Sequence, residues 1–262
     1  MQNEAALLPF LVSYAGMLGI IWARYFFVAG AVYLLVWRRS PNKVGGAWLT
    51  RHRPTATAMR REILTSVSVS LIYALPATIL IVAWQAGGTA IYTEVSGLWG
   101  WLYLPLSLFV YLFLHDTYFY WTHRMMHHPR LYPAMHRTHH MSKQPTPWAA
   151  FCFHPWEAIV SAPLIPLLAF VMPIHLGVLL ALLMFMTITS VTNHTGWEGL
   201  PQRFLDGPIG RHLITARHHN LHHTRFSRNY GLYFRWWDKW AGTDDLSGDP
   251  MTTPGRAAVP AE

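Results

Sequence analysis

Residues 123–140 read HRMMHHPRLYPAMHRTHH, six histidines in eighteen positions, and a second cluster, HHNLHH, occupies 218–223. His123 and His127 are four apart, so on a helix they share a face one turn from each other. His136, His139 and His140 follow the i, i+3, i+4 pattern, and His219, His222 and His223 repeat it. Helices carrying rings at these spacings can bring two or three imidazoles to one ion each. Eight rings are too many for a single ion that keeps an open position, and they suit a pair of metals. His115, His154, His194 and His218 are further candidates as ligands or as groups that orient ligands. Imidazole suits zinc, copper, iron and nickel alike. Cys152 is the one cysteine, which excludes a cysteine-based zinc site and any disulfide within the chain. Bundles that build di-iron sites mainly from glutamate are a different design, because this chain has twelve acidic residues in all.

Isolated histidines are more often ordinary surface or core residues, so His52, His175 and His212 carry no functional reading, and His128, before Pro129, reads as a helix end. Metal-scavenging histidine tracts are usually low-complexity, whereas both clusters here lie in varied, aromatic-rich sequence.

The elements that must position these rings are apolar. The 262 residues are 52% hydrophobic and 12% charged, with a mean hydropathy of +0.20; soluble domains carry about 25% charged residues. Leu7–Trp37, Ile63–Trp84 and Leu98–Leu114 read as membrane spans. Ala158–Thr192, with Pro163, Pro166 and Pro173, reads as a helical hairpin or broken helix turning near Met172–His175. The N-terminus, MQNEAALLPF, reads as the start of an anchor and not as a cleaved signal peptide.

The net charge of +8 comes largely from Arg38–Arg61, where seven Lys/Arg stand with no acidic residue. A short basic loop between apolar spans follows the positive-inside pattern of a cytoplasmic loop, not the basic, aromatic-studded surface of a nucleic-acid binder. With that loop inside, the topology delivers 115–140 and 218–223 to the same, cytoplasmic face. The expected fold is an all-α, multi-pass transmembrane helical bundle with a histidine-rich helical cap on that side. Residues 1–97 form the anchor spans and basic loop, 98–243 the catalytic region, and 244–262 a polar, disordered tail.

The three boxes, HxxxH at 123–127 and HxxHH at 136–140 and 219–223, resemble the fatty acid hydroxylase superfamily of membrane oxygenases. HDTYFYWTHRMMHHPRLY, PTPWAAFCFHPWE at 145–157, NHTG at 193–196 and NYGLYFRWWDKWAGT at 229–243 are similar to its sterol desaturase branch, especially sterol C5-desaturase-like members. That resemblance implies a non-haem centre of two iron ions held by His123, His127, His136, His139, His140, His219, His222 and His223. It makes His194 a further ligand, with His218, His154 and His115 behind it. Dioxygen is then the co-substrate, a bilayer lipid the substrate, and a separate cytochrome b5-, ferredoxin- or reductase-type protein the electron donor. The expected reaction is desaturation or hydroxylation of a sterol-like lipid.

The chemistry agrees with that reading. An unactivated C–H bond yields to no acid, base or nucleophile among the side chains, so a redox metal must supply the oxidant and the protein the orientation. Asp116, Glu157, Asn193 and Asp238 flank the histidine segments and are candidates to orient rings. Asp238 has the alternative role of a cap or a partner for Arg235 or Lys239. Trp236, Trp237 and Trp240 read as interface anchors or substrate contacts. Two rivals stand: a fatty-acyl or alkyl-lipid hydroxylase on the same scaffold, and a membrane metal-binding or transport protein. A transporter would place its ligands within the spans, and the boxes fall outside the apolar runs.

Overall fold

The computed structural model describes residues 2–39, 44–49, 53–249 and 251. His52 and part of the basic segment therefore lie outside the described residues. The chain is all-α with four membrane-length helices: α1 (Gln2–Val32), continued by a π-turn at Tyr33–Trp37, α2 (Ala56–Gln85), α3 (Gly97–Met126) and α8 (Leu176–Asn193). Between and after them lie the short helices α4 (Tyr132–Met135), α5 (Arg137–His140), α6 (Pro155–Ser161), α7 (Leu164–Val171), α9 (Gln202–Leu205), α10 (Ala216–Arg225) and α11 (Trp236–Trp240).

The long helices expose their apolar residues. Leu8, Phe27, Leu98 and Trp99 are all more than two-thirds open, an arrangement that water would penalise and that acyl chains accept. Their inward faces carry small and hydroxylated residues, such as Ser66, Ser70, Thr78 and Ser107, which are buried. The Ser70 and Thr78 hydroxyls return to carbonyls one turn back in their own helix. Pro9, Pro76 and Pro105 lie inside the long helices, as membrane helices tolerate.

Two small strand pairs fix the two ends. β2 (Ile91–Tyr92) runs parallel to β3 (Ile174–His175), joining the α2–α3 loop to the turn before α8. At the other end β1 (Ala47–Trp48) pairs antiparallel with β4 (Trp197–Glu198), so the α1–α2 segment and the chain after α8 meet there. The histidine boxes share that second end: Arg61 at the start of α2 donates to Ser142, just past the second box.

The span expected to stop at Leu114 does not. α3 runs on to Met126, about 18 Å further at 1.5 Å per residue. Its buried positions, Tyr111, His115, Tyr120, His123 and Met126, keep a helical period across the join, so one rigid rod carries the first box out of the apolar layer. The broken helix at 158–192 is α6, α7 and α8, turning at 172–175 as the prolines dictate.

Of the expected 244–262 tail, the structure describes residues 244–249 and 251. Residues 244–249 are pinned: Asp244 to Arg235 at 2.7 Å, Asp245 to Arg225 at 2.8 Å, and Asp249 to Arg217 at 3.5 Å. Composition alone hid the three aspartates' basic partners. Residues 252–262 lie outside the described residues.

Candidate metal centre

Nine imidazoles meet at this end in two adjoining groups. His123, His127, His136, His140 and His222 form one; His139, His194, His219 and His223 form the other, with the ring nitrogens of each group within 4.8 Å of one another. In the first, Nε2–Nε2 separations are 2.9 Å for His123–His136, 3.1 Å for both His127–His140 and His140–His222, and 3.2 Å for His127–His222. In the second they are 3.2 Å for His139–His194, 2.9 Å for His194–His219 and 3.0 Å for His219–His223. The groups touch: the His140 and His223 rings lie 4.7 Å apart, centre to centre.

The boxes therefore do not map one to one onto ions. Adjacent residues on a helix point about 100° apart, so His139 and His140 part company, and so do His222 and His223. Each HH doublet feeds both groups. His194, just past the end of α8, supplies the fourth ring of the second group.

The far side of the rings decides what their near side can do. His123 Nδ1 donates to the Tyr230 carbonyl at 2.8 Å, His222 to Arg228 at 2.7 Å, His139 to Cys152 at 3.3 Å and His194 to Ser190 at 2.6 Å. A carbonyl only accepts, so the proton sits on Nδ1 and Nε2 of a neutral ring is bare. His136 Nδ1 lies 2.9 Å from a Glu157 carboxyl oxygen. Bare nitrogens facing each other at 3.2 Å, as in His139–His194, repel unless a cation sits between them.

Protonation offers no escape. Burial, the largest influence, holds His194 near 4 and His127 near 2, and drives His136, His139, His219, His222 and His223 well below the ordinary 6.5; for all of these but His194, neighbouring imidazoles push the same way. Neutral rings with converging lone pairs and carbonyl- or carboxylate-anchored backs suit divalent metal ions.

The depressed values carry a pH dependence for the metal-free protein. Between about 6.5 and 4 the unfolded chain takes up protons that the folded chain refuses, so stability rises with pH across that window. The metal-free protein should melt at progressively lower temperature as pH drops from 7 to 5, with little change above 7. A flat profile would show that these rings are not buried in neutral form.

The other candidates act at one remove or not at all. Of Asp116, Glu157, Asn193 and Asp238, only Glu157 touches a histidine of the two groups. Asp116 accepts the backbone N–H groups of Leu232 and Tyr233, and Asn193 donates to the Leu232 carbonyl. Asp238 does not pair with Arg235 or Lys239; it accepts Tyr230 N–H, Gly231 N–H and the Thr243 hydroxyl. These groups hang the 229–234 loop, whose Tyr230 carbonyl then anchors His123. Gly231 is required there, since a Cβ would lie 2.7 Å from the Phe234 carbonyl oxygen.

His115 joins neither group and hydrogen-bonds the Tyr233 hydroxyl at 3.0 Å. His154 caps α6 by accepting Trp156 N–H. His218 caps its own helix: Nδ1 accepts Thr215 N–H, which puts its proton on Nε2, the wrong tautomer for a ligand through that nitrogen. Trp236 stacks on Phe234, Trp237 donates to Thr117 on α3, and Trp240 stands exposed. The anchoring carbonyls of Cys152, Ser190, Arg228 and Tyr230 escaped sequence reading, because every residue has a carbonyl.

Comparison with known proteins gives the class. The fatty acid hydroxylase family model matches residues 108–243, and the chain belongs to that family. Within it, the chain falls in the sterol desaturase branch. It is 31% identical over 221 residues to lathosterol oxidase of Rattus norvegicus, covering 84% of this chain and 70% of that protein. The mouse lathosterol oxidase is 30% identical over 224 residues, with the same coverage. A Delta(7)-sterol 5(6)-desaturase of Gibberella zeae is 32% identical over 157 residues, 60% of this chain and 47% of its own length. No solved structure matches. The protein is thus an integral membrane oxidoreductase of a lipid-modifying family.

Proposed function

We propose that the two histidine groups hold two iron ions, that dioxygen is the co-substrate, and that the protein desaturates or hydroxylates a sterol or sterol-like lipid. One observation carries this: two touching sets of buried imidazoles whose ring nitrogens converge, with four of the nine rings tied at the back to carbonyls. A redox-active iron pair supplies the oxidant for C–H cleavage that no side chain here provides. His123, His127, His136, His140 and His222 would hold one ion, and His139, His194, His219 and His223 the other. The electrons come from a separate carrier protein, and the centre faces the cytoplasm, on the side of the basic α1–α2 segment.

The chain's own contribution is placement and dryness. α3 and α8 run from the apolar layer to the two groups, delivering His123 at one end and His194 at the other. Phe119 packs on His123 at 4.9 Å and Phe153 on His139 at 5.2 Å between ring centres, so each group has an aromatic wall. A lipid methylene is compatible with such walls and bulk water is not. Glu157 and the four carbonyls fix ring orientation. A metal conduit would string its ligands through the spans, whereas these gather at one end.

The test is incubation of iron-loaded protein in membranes with O2, a reductase system and, separately, sterols, fatty-acyl lipids and alkyl lipids, with products read by mass spectrometry. O2-dependent loss of two hydrogens or gain of one oxygen in the sterol is expected. Turnover of acyl or alkyl chains with sterols untouched would overturn the substrate class.

A further inference from the structure

Helix α10 carries His219, His222 and His223 and ends on an unusual residue. Phe226 has φ 65° and ψ −25°, the left-handed conformation, and its N–H closes the helix on the His222 carbonyl at 2.8 Å. Helices commonly end this way with glycine or asparagine, which lack the clash that a bulky side chain meets there. Three residues on, the same loop does use asparagine for a left-handed turn, Asn229 at φ 55°.

What the phenylalanine adds is a ring. It lies 4.8 Å from the His140 ring at 44°, and 6.1 Å from Tyr132, edge-on. Tyr132 in turn lies 5.8 Å from His140. Phe226 is 37% exposed while His140 beneath is 2% exposed.

His140 also lacks an anchor behind the ring. The Nδ1 atoms of His123, His136, His139, His194 and His222 lie beside a carbonyl or carboxyl oxygen, whereas those of His140 and His223 are buried with no hydrogen-bond partner among the described residues. Of these two rings, His140 is the one on which Phe226 packs.

We propose that Phe226 is a positioning residue for His140, orienting that imidazole into the five-histidine group by ring packing and keeping water off it. The strained turn is the consequence of putting an aromatic ring at that spot. Strain retained at a functional site is a recurring pattern. The inference rests on the metal-centre reading above.

The experiment uses full-length protein loaded with cobalt(II), whose visible spectrum reports ligand geometry, and challenged with a chelator. Phe226→Gly suits the turn, so its metal-free melting temperature should match or exceed wild type. Yet one of its two cobalt ions should leave about tenfold faster, the scale on which supporting residues act on metal affinity, with an altered spectrum. Phe226→Tyr should restore slow release. Wild-type release and spectrum in a folded Phe226→Gly would overturn the proposal, as would equal acceleration at both ions. If Phe226→Gly fails to fold, Phe226→Leu against Phe226→Tyr decides: faster release in the leucine variant alone supports the proposal, and equal rates sink it. Failure of wild type to bind cobalt would instead bring down the metal-centre reading, and this inference with it.

Discussion

Replacing His194 with alanine should cut turnover by at least about 10³-fold, since groups that act as a unit fail as a unit. His194 lies outside the three boxes, and its loss would look harmless from their spacing alone. In the structure its Nε2 stands between those of His139 and His219, at 3.2 and 2.9 Å. Ser190 one turn back on α8 fixes its tautomer. Without it the second group keeps three rings and gains a hole. Metal in that group should fall while the first group, which shares no ring with it, retains its ion. Turnover within tenfold of wild type would show that three rings suffice and that His194 is only a neighbour.

The second large effect falls on stability. Asp238→Ala should destabilise the protein by about 3–5 kcal/mol, because a buried carboxylate serving several donors leaves them all unpaired when removed. Tyr230 N–H, Gly231 N–H and the Thr243 hydroxyl all end on it, at 2.9, 2.8 and 2.7 Å, and Asp238 is fully buried. Tyr120 extends the set by pairing with Thr243 at 2.9 Å. The Tyr230 carbonyl would then lose its fixed place behind His123, so metal affinity should drop as well. Thermal unfolding in detergent, with and without metal, measures both. A variant that melts within a degree or two of wild type would show the loop to be held by other means.

That the eight box histidines would gather could be read from their spacing, but His194 lies outside the boxes, and how the nine rings divide could not be read from the boxes taken as units. The clue was nonetheless present in the doublets His139–His140 and His222–His223, since neighbours on a helix cannot both aim at one ion. The second box resisted reading for another reason. His136 sits between two single-turn helices, α4 and α5, where helical spacing rules are weakest. The four long helices were legible from hydropathy, and the turn at 172–175 from its prolines. The 12-residue extension of α3 past Leu114 was not, because polar residues enter there and the apolar run ends while the helical period continues. The partners of Asp116 and Asp238 were illegible: a carboxylate near a histidine in sequence reads as its partner, but Asp116 serves backbone N–H groups more than a hundred residues away and Asp238 serves those of a loop seven and eight residues back. Glu157 is the exception, since from α6 it does reach a histidine of the boxes, His136, at 2.9 Å.

The most direct test of the two-group centre is metal analysis of the purified protein beside His139→Ala and His222→Ala, one ring from each group. About two irons per chain are predicted for wild type, one for each group of rings, with a sharp fall in both variants. Wild-type protein that takes up no iron, or variants that keep the wild-type content, would contradict it.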